Sequence, residues 1–388
     1  MREQMIHFCQ RLIQTPSLSG EERGVAELMA AEMKGLGYDQ VWIDPYGSVI
    51  GKIKGSGRGK TILFDGHIDT VPVSDHRQWT KNPFGGQFID GKIYGRGASD
   101  MKGAVAAMVY AVAALGQSEQ RPAGDLYVSG TVQEENFEGI AFDHVLEQVK
   151  PDVVIIGEAT ELRLNIGQRG RGEIAVHTYG KSAHSANPQV GINAVTKMCQ
   201  VIEGIGQLKP VVHEVLGQGI AVITDIISTP YPGSSVVPNN CRITIDRRLL
   251  VGETEASVLA QINDILANLK EADAEFSGRV ELVKGEALCY TGQKIAGLRF
   301  FPAWLMERNS PVVLEAEQAL KELGLAAAIG TYSFCTNGSQ SAGVRGIDTL
   351  GFGPSRENLA HSVDEYVEVA QLEDAFRGYF ALARTLAK

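Results

Sequence analysis

Three short apolar runs that each break into an acidic or imidazole residue constrain this chain more tightly than anything else in it. Thr61-Ile62-Leu63-Phe64 leads into His67 and Asp69, Leu126-Tyr127-Val128 into Glu134 and Glu135, and Val153-Val154-Ile155-Ile156 into Gly157 and Glu158. Short apolar runs bounded by turn signals read as strands, which are expected at Val49 to Ile53, Thr61 to Phe64, Asp125 to Val132 and Asp152 to Ile156. Helical spacing alternates with them. Residues 21 to 36 place Val25, Leu28, Met29 and Met33 on one face before Gly35 and Gly37, and Met101 to Leu115 is an apolar helix. Strands alternating with helices predict an α/β domain with a mostly parallel central sheet. Ligands of such sheets collect at the carboxyl ends of the strands, so His67 and the acids that follow the other two runs are expected on one rim.

At 388 residues the chain exceeds the ~250 to 300 at which one hydrophobic core stops growing, so two domains are expected. The second is read in the middle of the chain, where strands at Glu173 to Tyr179, Ile220 to Ile227 and Cys241 to Leu250 alternate with helices at Ile192 to Ile205 and Glu253 to Leu269. Residues 1–171 and 291–388 are then a catalytic domain and residues 172–290 an inserted α+β domain, with the glycine-rich Gly167-Gln168-Arg169-Gly170-Arg171-Gly172 at the hinge. A composition of 44% hydrophobic and 21% charged residues is that of an ordinary globular protein. The net charge of -10 argues against nucleic acid or an anionic membrane as partner, since both require clustered Lys and Arg. Met1-Arg2-Glu3-Gln4-Met5 offers no apolar leader and no run of ~18 apolar residues occurs, so a cytoplasmic location is expected. The scattered Cys9, Cys199, Cys241, Cys289 and Cys335, with no Cys-x-x-Cys pair, are expected to be reduced core residues.

Each chemistry-bearing residue has a bland reading beside a functional one. His67-Ile68-Asp69 alone is a solvated loop pair. Functionally, alternate residues of an extended segment point the same way, so the Asp69 carboxylate can accept a hydrogen bond from the ring nitrogen that a metal does not use. Asp100, where a glycine-rich loop enters a helix, reads by itself as an N-cap, for which Asp is a preferred residue. Glu134 and Glu135 are either solvated neighbours or a divergent pair, one carboxylate on a metal and the other facing a water as proton acceptor. Glu158 follows four apolar residues and a glycine, where an acid needs a partner to tolerate burial. Together, His67, Asp100, Glu135, Glu158 and His361 supply the two imidazoles and three carboxylates that two metal ions sharing one carboxylate require, with Glu134 left over as a base.

Phe64-Asp65-Gly66-His67-Ile68-Asp69-Thr70-Val71-Pro72, Gly95-Arg96-Gly97 with Asp100-Met101-Lys102-Gly103, Glu134-Glu135, Gly157-Glu158-Ala159-Thr160 and Leu359-Ala360-His361 stand in this order along nearly the whole chain. They resemble the motifs of the dizinc aminoacylase and carboxypeptidase family, which includes acetylornithine deacetylase, succinyl-diaminopimelate desuccinylase and glutamate carboxypeptidase. The resemblance implies a zinc-exopeptidase-like catalytic domain with a lid insertion that also makes a homodimer. It implies two zinc ions per chain, one held by His67, Asp100 and Glu158, the other by Asp100, Glu135 and His361, with Asp100 bridging. Asp69 would orient His67, and Glu134 would be the general base for a water attacking an amide carbonyl. Gly180-Lys181-Ser182-Ala183-His184-Ser185 resembles the family's histidine loop, so His184 would reach the partner subunit's site and stabilise an oxyanion. Arg248 matches an arginine that would grip a substrate carboxylate, although the adjacent Arg247 leaves open which of the two faces inward. Cobalt or manganese would suit the same ligands.

Two positions depart from that pattern: Ser235 stands where the family usually has Asn, and Asn337 where it has an acid. Both bear on substrate and oxyanion contacts, not on the metal ligands. Arg356 is either a substrate contact or a solvated loop charge. Gly55-Ser56-Gly57-Arg58-Gly59-Lys60-Thr61 is not a phosphate-binding loop, because Lys54 stands where the first glycine belongs and a strand follows it. A hairpin turn is expected there. His7, His76, His144, His177 and His213 are read as structural or solvent-facing. The expected protein is a metal-dependent amidohydrolase that removes the acyl group of an N-acyl amino acid. The alternatives are a dipeptidase or carboxypeptidase and, more remotely, a catalytically inactive binding protein, which would have no use for Glu134 beside Glu135.

Overall fold

The apolar runs become adjacent strands of one sheet in the computed structural model, which describes residues 1–119, 121–325 and 328–388. Leu126–Thr131, Ile62–His67 and Val153–Ile156 lie side by side and parallel, and Asp348–Gly351 joins the last of them, also parallel. Antiparallel pairs flank this centre, with Gln40–Ile43 and Val49–Ile53 on one side and Leu164–Gln168 and Trp304–Leu305 on the other. The sheet is therefore mixed, and its parallel centre is covered on both faces, which is why those strands read as continuous apolar runs.

Val49–Ile53 and Ile62–His67 do not pair with each other, because Leu126–Thr131 lies between them. The Gly55 to Thr61 segment is thus a crossover loop, not the expected hairpin turn. The Asp125 side chain holds it by accepting the Gly55 N–H at 2.8 Å.

The helices bury the faces their spacing prescribes. Arg23–Gly35 turns Val25, Ala26, Met29, Ala30 and Met33 inward, while Leu28 is half-buried. Gly103–Gly116 is apolar around its whole circumference and Val369–Leu386 packs on it. The stretch Ala98–Gly116 is long and apolar enough to cross a membrane, yet 94% of it is buried inside the protein, as a core helix requires.

Each of the three strands that leads to a site residue carries a glycine near its carboxyl end, and a methionine fills the space above it. A Cβ on Gly66 would lie 2.8 Å from Val105 Cγ2 and 2.9 Å from Met101 Cε, one on Gly130 2.5 Å from Met29 Sδ, and one on Gly157 2.0 Å from Met108 Cε. Close packing of methionine onto bare backbone therefore supports the rim from below.

The chain divides between Gln168 and Arg169, within the glycine-rich stretch. A second unit contains Arg169–Gly285 and Leu298–Ala303. Its sheet orders Ile220–Thr229, Asn240–Leu249, Gly170–Tyr179 and Ser277–Leu282, all antiparallel. Helices Ala194–Gly206 and Glu255–Ala272 cover one face and share a core of Ile174, Val176, Met198, Val201, Ile243, Ile245, Val258 and Ile262. This unit differs in extent from the expected 172–290: it takes in residues 169–171 and Leu298–Ala303, where Phe300 and Phe301 pair with Gly172 and Arg171, and leaves out residues 286–290.

Gly353 meets backbone, not side chain, since a Cβ there would sit 2.2 Å from Gly157 O and 2.3 Å from Glu158 O. Gly353→Ala is therefore expected to destabilise the protein by about 2 kcal/mol. Gly157→Ala, opposed by the mobile end of Met108, should destabilise it by less. Guanidinium unfolding of both variants checks the order.

Candidate metal centre

The parallel register sets the rim. His67 ends its strand, while Glu134 and Glu135 follow Leu126–Thr131 and Glu158 follows Val153–Ile156, on the strands that flank it on either side. Asp100 and His361 come from loops. Asp100 has non-helical φ/ψ and its side chain caps no helix, so the N-cap reading does not hold. Its two oxygens instead face opposite imidazoles, Oδ1 lying 2.8 Å from His67 Nε2 and Oδ2 3.1 Å from His361 Nε2. Glu158 Oε1 is 3.4 Å from the same His67 nitrogen, and both Glu135 oxygens are 3.1 Å from His361 Nε2. His67, Asp100 and Glu135 present ligand atoms within 4.8 Å of one another, as do His67, Glu134 and Glu158. His67, Glu134 and Glu158 are buried, while the His361 side chain is 52% exposed and forms the open side.

The electrostatics are those of a centre built around positive charge. Burial pushes Glu134 well above the usual carboxylate range, and the nearby charges of Glu158 and Glu138 add to that. Burial and the Asp100 charge raise Glu135 to about 7 and raise Glu158 as well. Burial works against an ionised Asp100 too, but hydrogen bonds from His361 and His67 hold it below its ordinary value. His67 is raised although burial alone would lower it, because Asp100 and Glu158 favour its charged form. Asp100 and Glu135 raise His361 to about 10. The buried acid cluster thus favours positive charge where the two rings meet it. The nitrogen and oxygen donors fit divalent ions of the zinc type, with His67, Asp100 and Glu158 facing one position and Asp100, Glu135 and His361 a second.

Asp69 acts differently from expectation. The ring nitrogen His67 Nδ1 lies 3.0 Å from the Asp69 backbone carbonyl and 3.7 Å from its carboxylate, so the carbonyl orients the ring. The carboxylate accepts from Ser19 Oγ at 2.6 Å and from the backbone N–H groups of Glu134 and Glu135 at 3.1 Å each. It therefore positions the Glu134-Glu135 turn.

Other buried groups escaped the sequence reading. Glu22 accepts the N–H groups of Gly20 and Gln133, and burial with the nearby Asp69 charge raises it to about 7. Lys102 donates to Leu12 O and Thr15 O at 2.9 Å, and burial lowers it to about 7. Glu365 accepts from Gly97 N, Ser99 N, Asp100 N and Arg96 Nη1, and burial with the Asp100 charge raises it to about 7. Its only signal in sequence is an acid pair, Asp364-Glu365, just beyond His361.

Asn337 is not a substrate contact. It is buried, donating to Asp65 Oδ2 at 2.8 Å and accepting Gly139 N–H at 2.7 Å, beneath the His67 strand. Arg356 is 46% exposed and pairs with Glu161 at 3.2 Å.

His184 and Arg248 lie in the second unit. His184 Nδ1 accepts the Ala186 N–H at 3.0 Å, which leaves the ring proton on Nε2 as a donor. The turn is held by Ser185 N–H on Ser235 O, and Ser235 has φ +63, a left-handed conformation that asparagine tolerates better than serine. Arg247 is buried and bound to Glu253 and Gln261. Arg248 points to the opposite face of its strand, with its Nε 3.3 Å from Asp246, and is 30% exposed. Of the two arginines, only Arg248 is accessible.

A rim of buried carboxylates and imidazoles at the ends of parallel strands, with an extra acid beside them, is the centre of a metallohydrolase acting on amide or peptide bonds. The chain belongs to peptidase family M20/M25/M40, whose model matches residues 63–385. The uncharacterized protein YgeY of Escherichia coli K12 is 34% identical over 367 residues, covering 93% of this chain and 89% of that protein. A succinyl-diaminopimelate desuccinylase of Cereibacter sphaeroides is 32% identical over 389 residues, covering 93% of each. The fold matches the crystal structure of aminopeptidase PepT from Bacillus cereus with a TM-score of 0.77 at 18% identity, covering 100% of this chain and 99% of that one.

Asn337→Asp would set a second carboxylate against Asp65 in a buried pocket. The substitution should destabilise the protein by about 3 kcal/mol, whereas Asn337→Ser should cost less. Thermal unfolding of the two variants side by side tests this.

Proposed function

We propose that the protein is a metal-dependent amidohydrolase that removes the acyl group from an N-acyl amino acid, with two divalent ions held by His67, Asp100, Glu135, Glu158 and His361. The observation that carries this reading is Asp100, whose two carboxylate oxygens each face a different imidazole, with Glu134 buried beside them. When bound, such ions supply Lewis-acid polarisation of the scissile carbonyl and acidify water.

The chain's own groups do the rest. The Glu134 carboxylate accepts the proton of the attacking water and returns it to the leaving amine nitrogen. Asp69 keeps Glu134 and Glu135 divergent by holding both backbone N–H groups. His184, with its proton on Nε2, donates to the oxyanion in the partner subunit's site, and Arg248 binds the carboxylate of the substrate through its guanidinium fork. The family resemblance and the accessibility of both side chains support these two roles.

The 32% identity with a succinyl-diaminopimelate desuccinylase, over 93% of the chain, favours an acyl substrate over a peptide. A homodimer is supported by the edge strand Ile220–Thr229, which exposes Ile220, Val222, Ile226 and Ile227 beside unpaired backbone. The unbridged cysteines fit a reducing cytoplasm.

Release of free amine from N-acetyl and N-succinyl amino acids and from dipeptides, with zinc or cobalt added, tests the reading. Glu134→Gln should bind metal as the wild type does and lose roughly 1,000-fold in kcat. Turnover confined to dipeptides would replace the acyl reading with a peptidase. Full activity in the variant would remove Glu134 from the mechanism.

A further inference from the structure

His361 is held in an unfavourable conformation. Its φ is +59, and Asp364 three residues later has φ +54, so two side chains in one turn adopt the left-handed region that L residues avoid. Such a turn persists only where its surroundings over-determine it. Asp364 is pinned by accepting the Thr80 and Lys81 N–H groups at 2.8 and 3.2 Å and the Thr80 hydroxyl at 2.6 Å. Glu365, fully buried, accepts Ser99 N–H at 2.8 Å and Gly97 and Asp100 N–H at 3.1 Å each. Arg96, also buried, closes the arrangement: Nη1 binds Glu365 at 2.7 Å, and Nη1 and Nη2 reach Ser362 O and His361 O at 3.4 Å. One carboxylate thereby grips the backbone of Asp100, while its guanidinium partner grips the backbone of His361.

Resting on the two-ion reading, we infer that Glu365 and Arg96 are a positioning pair that sets the Asp100 carboxylate against the His361 ring and so creates the second ion position. Neither residue touches that position. Both act through the loops that carry two of its three ligands, the third being Glu135. The first position depends less on the pair, because His67 ends a strand, Glu158 follows one by two residues, and only Asp100 is shared. Arginine is required in place of lysine, since a single ammonium can satisfy Glu365 but cannot also span to two carbonyls.

The test is cobalt(II) titration of the full-length protein against a competing chelator, read by visible absorption, together with the thermal midpoint of the metal-free protein. Wild type should take up two ions. Glu365→Gln and Arg96→Lys should keep the first ion at near wild-type affinity and bind the second about 10- to 100-fold more weakly, the range for groups that orient metal ligands. Two ions at unchanged affinity in both variants would overturn the inference, even if the metal-free midpoint falls. So would equal weakening of both ions, which marks a general loss of fold. Because Arg96→Lys retains the buried ion pair, it carries the prediction if Glu365→Gln does not fold. A wild type that binds fewer than two ions would instead overturn the two-ion reading itself, and the inference with it.

Discussion

Crowding of negative charge is the constraint on which the rest of this structure depends. Asp100, Glu134, Glu135 and Glu158 meet on one rim, with Asp65, Asp69, Glu22 and Glu365 buried beneath or beside them. Two like charges 4 Å apart repel by roughly 4 kcal/mol at an effective dielectric of about 20, so the cluster would disperse unless each acid were answered. The answer differs by depth. Acids at the rim face imidazoles and a pair of cation positions. Acids behind it take backbone N–H groups: Glu22 from Gly20 and Gln133, Asp69 from Glu134 and Glu135, and Glu365 from Gly97, Ser99 and Asp100. The second set holds the first in place, so the chemistry of the centre and the shape of its loops share one electrostatic solution.

The depth at which a residue works also decides how far it could be read from the sequence. His67, Glu134, Glu135 and Glu158 could be placed on one rim because each follows an apolar strand, although each taken alone reads as solvated or as a burial in need of a partner. Asp100 and His361 needed motif resemblance, since nothing local in a loop distinguishes a ligand from a cap or a solvated ring. Glu365 and Glu22 lay beyond both routes: all of Glu365's partners and Glu22's contact with Gln133 are more than 100 residues away, and an acid in a polar stretch looks solvated until the fold buries it. Asp69 shows a further limit, because side-chain direction followed from strand geometry but the choice between carboxylate and carbonyl oxygen depended on a 0.7 Å difference (3.7 against 3.0 Å). The sheet was legible in its parallel centre and not at its flanks, where pairing partners are set by the chain's return path.

The second unit makes the same point about alternation. Strand periodicity alone separates Arg247 from Arg248, yet only the packed structure shows that Glu253 and Gln261 occupy the first and leave the second accessible. The departure at Asn337, which looked like a change in substrate contacts, answers a buried carboxylate, whereas Ser235 stands in a left-handed conformation that would suit the usual asparagine better.

The methionines packed over Gly66, Gly130 and Gly157 tie the centre to oxidative chemistry that involves none of its ligands. A thioether carries no charge and bends to fill the notch above bare backbone, but its sulfoxide is polar and one oxygen larger. Above Gly157 there is no room even for a methyl group while Met108 stays where it is. Sulfoxidation of Met29, Met101 or Met108 would therefore press upward on the strand ends that present His67, Glu134 and Glu158. Oxidation that reached these buried thioethers would disturb the centre without touching any of its ligands.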